Sequence, residues 1–313
     1  MSKKFRSNCM LFLTALIWGS AFVAQSVGMD YLGPFSFNGI RCLIAAVLLI
    51  PVAYIFVTKE KKAAMAEPGY HEPTAEEKAA KLKITVIGGI CCGLALFGGT
   101  TLQQYGLQYT TAGKAGFITA LYIVLVPILG LFIGKRVRPL LWGCVAVAAV
   151  GFYLLCINAN EGFSISRGDF FVFLCAIVFA CHILIIDYFS PKANGVVLSC
   201  IQFAITGLVS IPFMFLLKSE ADLLSFAAII AGAKPILYAG VLSGAIGYTL
   251  QIVAQKDAEP TIASLILSLE SVFAVVAGAI VLHQLMNGRE LLGCALIFAA
   301  VIVTQLPEKK KVE

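Results

Sequence analysis

A single acidic residue, Glu270, lies inside the apolar stretch ILSLESVFAVVAGAIV of residues 266–281. A charge at the centre of a membrane helix costs roughly 2.5–3.5 kcal/mol on insertion scales, so this carboxylate needs a cavity, a partner or a proton. We expect it to bind protons or a cation; the alternatives are a structural ion pair or a hydrogen bond across a helix interface. Ser264, Ser268 and Ser271 share another helical face, so the serines and Glu270 cannot all point squarely into one cavity.

Polar and aromatic residues recur at helical spacing in other apolar runs. Tyr248, Gln251 and Gln255 follow one another at three- and four-residue intervals, and Gln103 occupies a matching position in an earlier run. A polar stripe on a lipid-embedded helix should face the protein interior. The amides predict hydrogen bonds either to a substrate or between helices. Trp18 belongs to a second stripe and predicts an aromatic cavity wall or, alternatively, ordinary packing.

Three further ionisable residues lie within or at the ends of apolar runs. Arg41 can extend towards the membrane surface, pair with Glu270 or bind an anionic group of a substrate, and the first two uses are favoured. Lys114 lies near the end of its run, where it can attract a substrate or simply sit at the interface. His182 is a candidate for titration near neutral pH, although a lone histidine is more often structural.

The amino-acid composition indicates the environment that surrounds these residues. Of the 313 residues, 60% are hydrophobic and only 13% are charged, with a mean hydropathy of +0.93. A soluble domain averages about 25% charged residues, so the sequence predicts a polytopic membrane protein in contact with lipid. The net charge of +6 comes from short clusters between apolar runs, which argues against nucleic-acid binding. The ten cysteines contain no CxxC pair and the three histidines are far apart, so neither a metal site nor a cofactor is predicted.

Ten apolar runs are long enough to cross a hydrocarbon core of about 30 Å as helices. Only helices satisfy their own backbone groups in lipid, so the predicted fold class is all-α. A polar loop at 59–83 separates the second and third runs, and the spacing of Thr74 and Glu77 predicts a capping box and a short helix at its end. The predicted spans lie near 8–28, 34–57, 83–105, 111–133, 139–157, 168–187, 195–216, 235–255, 261–282 and 290–306.

The distribution of positive residues predicts the orientation. If both termini are cytoplasmic, the cytoplasmic segments carry 17 Lys or Arg residues and the opposite side carries 5. Cytoplasmic loops are enriched in Lys and Arg, so this asymmetry predicts cytoplasmic N- and C-termini in a multi-pass protein of the cell membrane.

The two halves of the chain resemble each other. The segment FLTALIWGSAFV from Phe12 is similar to FLCAIVFACHIL from Phe173, an offset of 161 that also pairs Trp18 with Phe179 and Arg41 with Gln202. The tripeptide TLQ occurs at 101–103 and again at 249–251, and the same offset of 148 pairs Tyr122 with Glu270. Because each half has five predicted spans, the second half must be inverted, with boundaries near 7–157 and 167–306. Such 5+5 inverted repeats are typical of secondary transporters.

Several of these motifs resemble a known family. The sequence ALIWGSAFV in the first span and TTAGKAGFI at the start of the fourth, together with the 5+5 repeat, resemble EamA-type permeases of the drug/metabolite transporter superfamily. The resemblance implies a ten-helix basket with a central cavity for a small metabolite. The chain departs from the family pattern twice: Ser271 stands where many members have proline, and His283-Gln284 stands where many have an acidic residue after glycine.

These observations together predict a secondary transporter and not an enzyme. It would move an amino acid, an amine or a similar solute by alternating access. The sequence has no GxxxxGK[ST] loop for ATP, so the predicted energy source is a proton gradient acting through Glu270; the family resemblance favours efflux. The expected partners are membrane lipid, the small substrate and protons. The alternatives are an intramembrane enzyme and a membrane scaffold or sensor.

Overall fold

The computed structural model describes residues 3–66, 70–110, 112–156, 166–282 and 288–304, and within these ranges the fold is helical and has no strand. The first half contains six helices and the second half nine, with a π-helical segment, Tyr238–Tyr248, between α11 and α12. In chain order they are α1 Lys3–Gly28, α2 Pro34–Met65, α3 Ala75–Leu107, α4 Ala112–Thr119, α5 Tyr122–Phe132, α6 Pro139–Cys156, α7 Arg167–Phe189, α8 Gly195–Leu216, α9 Lys218–Ala221, α10 Phe226–Ala231, α11 Ala233–Leu237, α12 Thr249–Gln255, α13 Pro260–Leu267, α14 Leu269–Leu282 and α15 Gly288–Thr304.

Seven helical stretches of the described ranges are long and apolar enough to cross a membrane. They are α1, α2, α3, α7, α8 and the composite stretches Ala233–Gln255 and Pro260–Val281. Three shorter apolar helices lie at Tyr122–Phe132, Pro139–Gly151 and Leu291–Val303. The all-helical fold class is therefore confirmed, whereas the count of ten spans stays a prediction.

Two predicted spans are broken in the structure. The span at 111–133 is divided into α4 and α5 by a turn at Ala120 and Leu121, and the span at 261–282 is divided into α13 and α14 at Ser268. Apolar composition reports the length of a span but not its continuity, so hydropathy alone could not detect either break.

The polar loop at 59–83 differs from its prediction in one respect. The Thr74 hydroxyl accepts a hydrogen bond from the Glu77 N–H at 3.2 Å and the Glu77 carboxylate accepts one from the Thr74 N–H at 2.8 Å, so the capping box is confirmed. The prediction of a separate short helix is wrong. The capping box begins α3 itself, because no glycine or proline interrupts the chain between Thr74 and the apolar run.

The closest helix packing joins the two halves of the chain. Helix α2 packs on α8, α3 on α7 and α8, α1 on α14, and α6 on α15. Small residues permit these approaches: a Cβ at Gly93 of α3 would lie 2.7 Å from Ile205 Cβ of α8, and one at Gly19 of α1 would lie 2.4 Å from Phe273 Cβ of α14. Membrane helices associate through such close contacts because lipid supplies no hydrophobic driving force between them.

Candidate functional site

One cavity lies among helices of both halves. Aromatic, amide and charged side chains share its lining, which is the mixture expected of a small-molecule site. The lining residues are Trp18, Phe22, Gln25, Arg41, Gln103, Thr119, Tyr122, Phe179, His182, Ile183, Ser243, Tyr248, Gln251 and Glu270.

Most of the residues singled out in the sequence surround this cavity. Eight of them line it: Trp18, Arg41, Gln103, Tyr122, His182, Tyr248, Gln251 and Glu270. The other two are Gln255 and Lys114. Gln255 is buried away from the cavity lining, and its Nε2 donates to the carbonyl oxygen of Ile183 at 3.1 Å, which is the bond between helices given above as the alternative. Lys114 lies in α4, and its side chain is outside the described part of the structure.

Glu270 faces the cavity from the first turn of α14. Its side chain is only 3% exposed, and the hydroxyl of Tyr122 donates to its Oε1 at 2.9 Å. The N-terminal end of a helix favours a negative charge, so the break at Ser268 places this carboxylate in a helix-dipole field.

The serines near Glu270 form local hydrogen bonds to the backbone and do not line the cavity. The hydroxyls of Ser264, Ser268 and Ser271 each donate to the backbone carbonyl three residues earlier, at 2.7 to 2.9 Å. These local bonds satisfy the hydroxyls inside the protein. The choice between the two helical faces is thereby resolved, because Glu270 lines the cavity and the three serines do not.

Arg41 enters the same cavity from α2. Its side chain is 4% exposed, so it does not extend to the membrane surface. The Arg41 Nε donates to Asn38 Oδ1 at 2.8 Å, and the guanidinium lies 5.7 Å from the centre of the Phe37 ring. Among the described residues Arg41 forms no ion pair, and neither does Glu270. Two buried ionisable side chains, one basic and one acidic, thus line one cavity without contacting each other.

Hydrogen bonds join helix α1 to the π-helical segment along one wall of the cavity. The Trp18 Nε1–H donates to the Ser243 carbonyl at 3.1 Å, and the Thr14 hydroxyl donates to the Gly247 carbonyl at 3.2 Å. The Trp18 and Tyr248 rings lie 4.4 Å apart between centroids. The wider π turn is common at functional sites. Sequence reasoning missed this segment and Ser243 with it, because no residue pattern distinguishes a π-helix from an α-helix.

Several amide groups around the cavity have spare hydrogen-bonding capacity. His182 Nε2 lies 3.0 Å from Gln202 Oε1, while Gln202 Nε2 has no partner among the described residues. The same holds for the Oε1 atoms of Gln25 and Gln251, which both line the cavity. Buried polar atoms are nearly always paired in native proteins, so the unpaired oxygens of Gln25 and Gln251 are candidates to bind a ligand.

Residues paired by the internal similarity meet at this cavity. Trp18 and Phe179 both line it, as do Gln103 and Gln251, and Tyr122 is hydrogen-bonded to its own counterpart, Glu270. Phe22, Thr119 and Ile183 also line the cavity but were not among the sequence candidates. Phe22 and Ile183 are apolar residues in apolar runs, so they carried no signal.

Comparison with known proteins gives one consistent result. The sequence matches the EamA-like transporter family over residues 5–157 and 166–306. It is 30% identical to a protein named "Uncharacterized transporter" from Archaeoglobus fulgidus, over 97% of this chain and 87% of the relative. It is 23% identical to "Uncharacterized transporter YoaV" of Bacillus subtilis, over 92% of each. A protein of known crystal structure has the same fold, with a TM-score of 0.72, 15% identity and 96% coverage of both chains.

These matches cover nearly the whole chain, and they agree with the apolar helices and with the motifs of the first and fourth predicted spans. The chain is a multi-pass membrane protein, and it belongs to the EamA-like transporter family of the drug/metabolite transporter superfamily.

Proposed function

We propose that the protein is a secondary transporter that carries a small metabolite across the cytoplasmic membrane by alternating access. The substrate binds in the cavity between the two inverted halves, each with five spans. The observation that supports this most strongly is the pair of buried ionisable side chains, Arg41 and Glu270, which line one cavity and form no ion pair among the described residues. Uncompensated buried charges are costly, and a ligand that supplies both counter-charges would repay that cost.

The lining of the cavity supports an amino acid as the substrate. A carboxylate fits the guanidinium of Arg41, which can form two parallel hydrogen bonds to it. An ammonium group fits the carboxylate of Glu270. The rings of Trp18, Phe179 and Tyr248 offer contact to an apolar side chain and to the cation. An amino acid carries both charges and matches this arrangement better than an amine or a carboxylic acid alone.

Coupling to protons uses the same carboxylate. If a proton and the substrate ammonium compete for Glu270, each one leaves when the other binds, and an inward proton gradient drives efflux. The positive-residue asymmetry supports cytoplasmic termini, which would place the ion pairs of Lys135 with Asp187 and of Arg138 with Glu259 at the cytoplasmic end.

Binding of three related molecules to purified protein tests this function. L-phenylalanine carries both charges, 3-phenylpropionate carries only the carboxylate, and 2-phenylethylamine carries only the ammonium. We expect L-phenylalanine to bind at least about tenfold more tightly than either partial analogue, since each charged hydrogen bond contributes about 1.5–3 kcal/mol. Equal affinities for the three would contradict recognition by Arg41 and Glu270. Uptake of the bound compound into proteoliposomes, driven by a pH difference, then tests transport itself.

A further inference from the structure

The bond between Tyr122 and Glu270 joins two helix breaks. Helix α4 ends at Thr119 and α5 begins at Tyr122, while α13 ends at Leu267 and α14 begins at Leu269. The offset of 148 that relates the two halves maps the first break onto the second. Tyr122 and Glu270 therefore occupy the same position, in the first turn after each break, and their side chains meet at 2.9 Å.

The four half-helices lie side by side around this bond. Helix α4 packs on α14 and α5 packs on α13, and both α4 and α5 also contact α7. The two broken helices are thus neighbours along both of their halves. A change of angle at one break must be matched at the other if these contacts are to be kept, because packed interfaces move as units.

Both breaks contain backbone hydrogen bonds tighter than those of an α-helix. At the first, the N–H of Leu121 donates to the Ile118 carbonyl at 3.2 Å and that of Ile123 donates to the Ala120 carbonyl at 3.0 Å. At the second, the N–H of Ser271 donates to the Ser268 carbonyl at 3.2 Å. These are contacts between residues three apart, and a short stretch of such tighter turns within a helix often marks a functional hinge.

We propose that Tyr122 is a positioning residue that couples the occupancy of Glu270 to the angle of both helix breaks. This inference rests on the proposed function, in which Glu270 alternately holds a proton and a substrate cation. An ionised carboxylate accepts a stronger hydrogen bond than a protonated one, so an empty Glu270 holds Tyr122 firmly and keeps the two breaks together. A proton or an ammonium group on Glu270 weakens that bond and releases the hinges.

The surroundings of Glu270 are compatible with this behaviour. Besides Tyr122, the ionisable groups near Glu270 are Tyr248 of the π-helical segment and Cys175 of α7, and Arg41 and His182 line the same cavity. Beyond α5 lies the loop that carries Lys135 and Arg138. These two residues form ion pairs with Asp187 and Glu259 of the second half. Bending at the breaks would therefore move α5 and strain these two ion pairs.

Hydrogen–deuterium exchange of the full-length protein in lipid nanodiscs tests the proposal without any substrate. Peptides covering α4–α5 and α13–α14 are compared at mildly alkaline and mildly acidic pH, after correction for the pH dependence of intrinsic exchange. In the wild type we expect both breaks to exchange at least about threefold faster in acid, a modest effect for a weakened hydrogen bond. Exchange at the two breaks that is independent of pH, or that changes at one break only, overturns the proposal.

Two variants remove one partner of the bond each. Tyr122→Phe removes the hydroxyl, so both breaks should exchange fast at either pH. Glu270→Gln keeps an acceptor oxygen but carries no charge, as in the protonated acid, so the difference between the two pH values should disappear and both breaks should exchange at the faster rate seen in acid. Wild-type behaviour in both variants contradicts the assigned role.

Tyr238→Phe is the matched control, because Tyr238 OH bonds Ser20 Oγ at 2.6 Å outside the cavity lining. It should leave the wild-type pH response of both breaks intact. Failure of the proposed function is a separate result: the wild type would then release no protons on binding a substrate, whatever the exchange experiment shows.

Discussion

Glu270 and Arg41 are 3% and 4% exposed, and each faces the same cavity from a different half of the chain. At the scale of residues the sequence could identify both, because a charge in an apolar run is conspicuous and expensive. It could not identify the side-chain Oδ1 of Asn38, which accepts a hydrogen bond from the Arg41 Nε, nor the Tyr122 hydroxyl, which donates one to Glu270. Those partners are ordinary residues whose contact depends on packing.

Substitution of Arg41 tests the carboxylate site. In Arg41→Gln we expect the affinity for L-phenylalanine to fall about tenfold or more, since the bond to a charged group is lost. The affinity for 2-phenylethylamine should change little. Isothermal titration on the purified variant measures both. Arg167→Gln is the control, because Arg167 lies over the Tyr109 ring away from the cavity lining. An equal loss for both ligands in Arg41→Gln would contradict a carboxylate-binding role.

At the scale of elements, the lengths of the apolar runs predicted the long helices but not their irregularities. The spans that became α4–α5 and α13–α14 have no glycine or proline at their breaks, and the π-helical segment has no distinguishing composition. A break or a wider turn is set by hydrogen bonds between neighbouring elements, such as that of Trp18 to the Ser243 carbonyl. Such bonds are tertiary and have no local signature.

The close approach of α1 and α14 leaves no room for a side chain at Gly19. A Cβ there would lie 2.4 Å from Phe273 Cβ and 2.5 Å from the Glu270 carbonyl oxygen, so Gly19→Ala should destabilise the protein by about 1–3 kcal/mol. The thermal midpoint in detergent measures the loss. Gly143→Ala in α6, where nothing lies within 4 Å of the new methyl group, is the control and should be neutral or slightly stabilising. Similar midpoints for the two variants would show that α1 and α14 are not in such contact.

The bond between Trp18 and the π-helical segment can be removed while most of the ring is kept. Trp18→Phe should cost about 1 kcal/mol and increase deuterium exchange in Tyr238–Tyr248, because the Ser243 carbonyl loses its donor. The comparison is Trp142→Phe in α6, which should leave exchange in this segment unchanged. If both substitutions gave the same exchange, the indole N–H would have no part in holding the segment.

At the scale of the whole molecule, the internal similarity anticipated which residues share the cavity, including Gln103 and Gln251. The sequence could not predict which charged residues of the loops join the two halves. Lys135 pairs with Asp187, and Arg138 lies 3.8 Å from Glu259, so one short loop of the first half is tied to two places in the second. Loop charges are abundant in this sequence, and nothing local says which of them will meet.

Charge reversal tests the ion pair between Lys135 and Asp187, which joins the two halves. Asp187→Lys should lower the thermal midpoint at low salt, and the double variant with Lys135→Asp should recover part of the loss. The expected coupling is about 0.2–1 kcal/mol, because the Lys135 side chain is 36% exposed and screened by solvent. High salt should reduce the effect. Additive losses in the double variant would mean that the two residues do not interact.

Proton release on substrate binding tests the central claim most directly. L-phenylalanine is added to the purified protein in weakly buffered detergent, with wild type beside Glu270→Gln. We expect the wild type to release protons when the ligand binds. We expect the variant to bind the ligand more weakly and to release no protons. Binding to the wild type without proton release would contradict competition at Glu270 and leave this carboxylate as a residue that pairs helices.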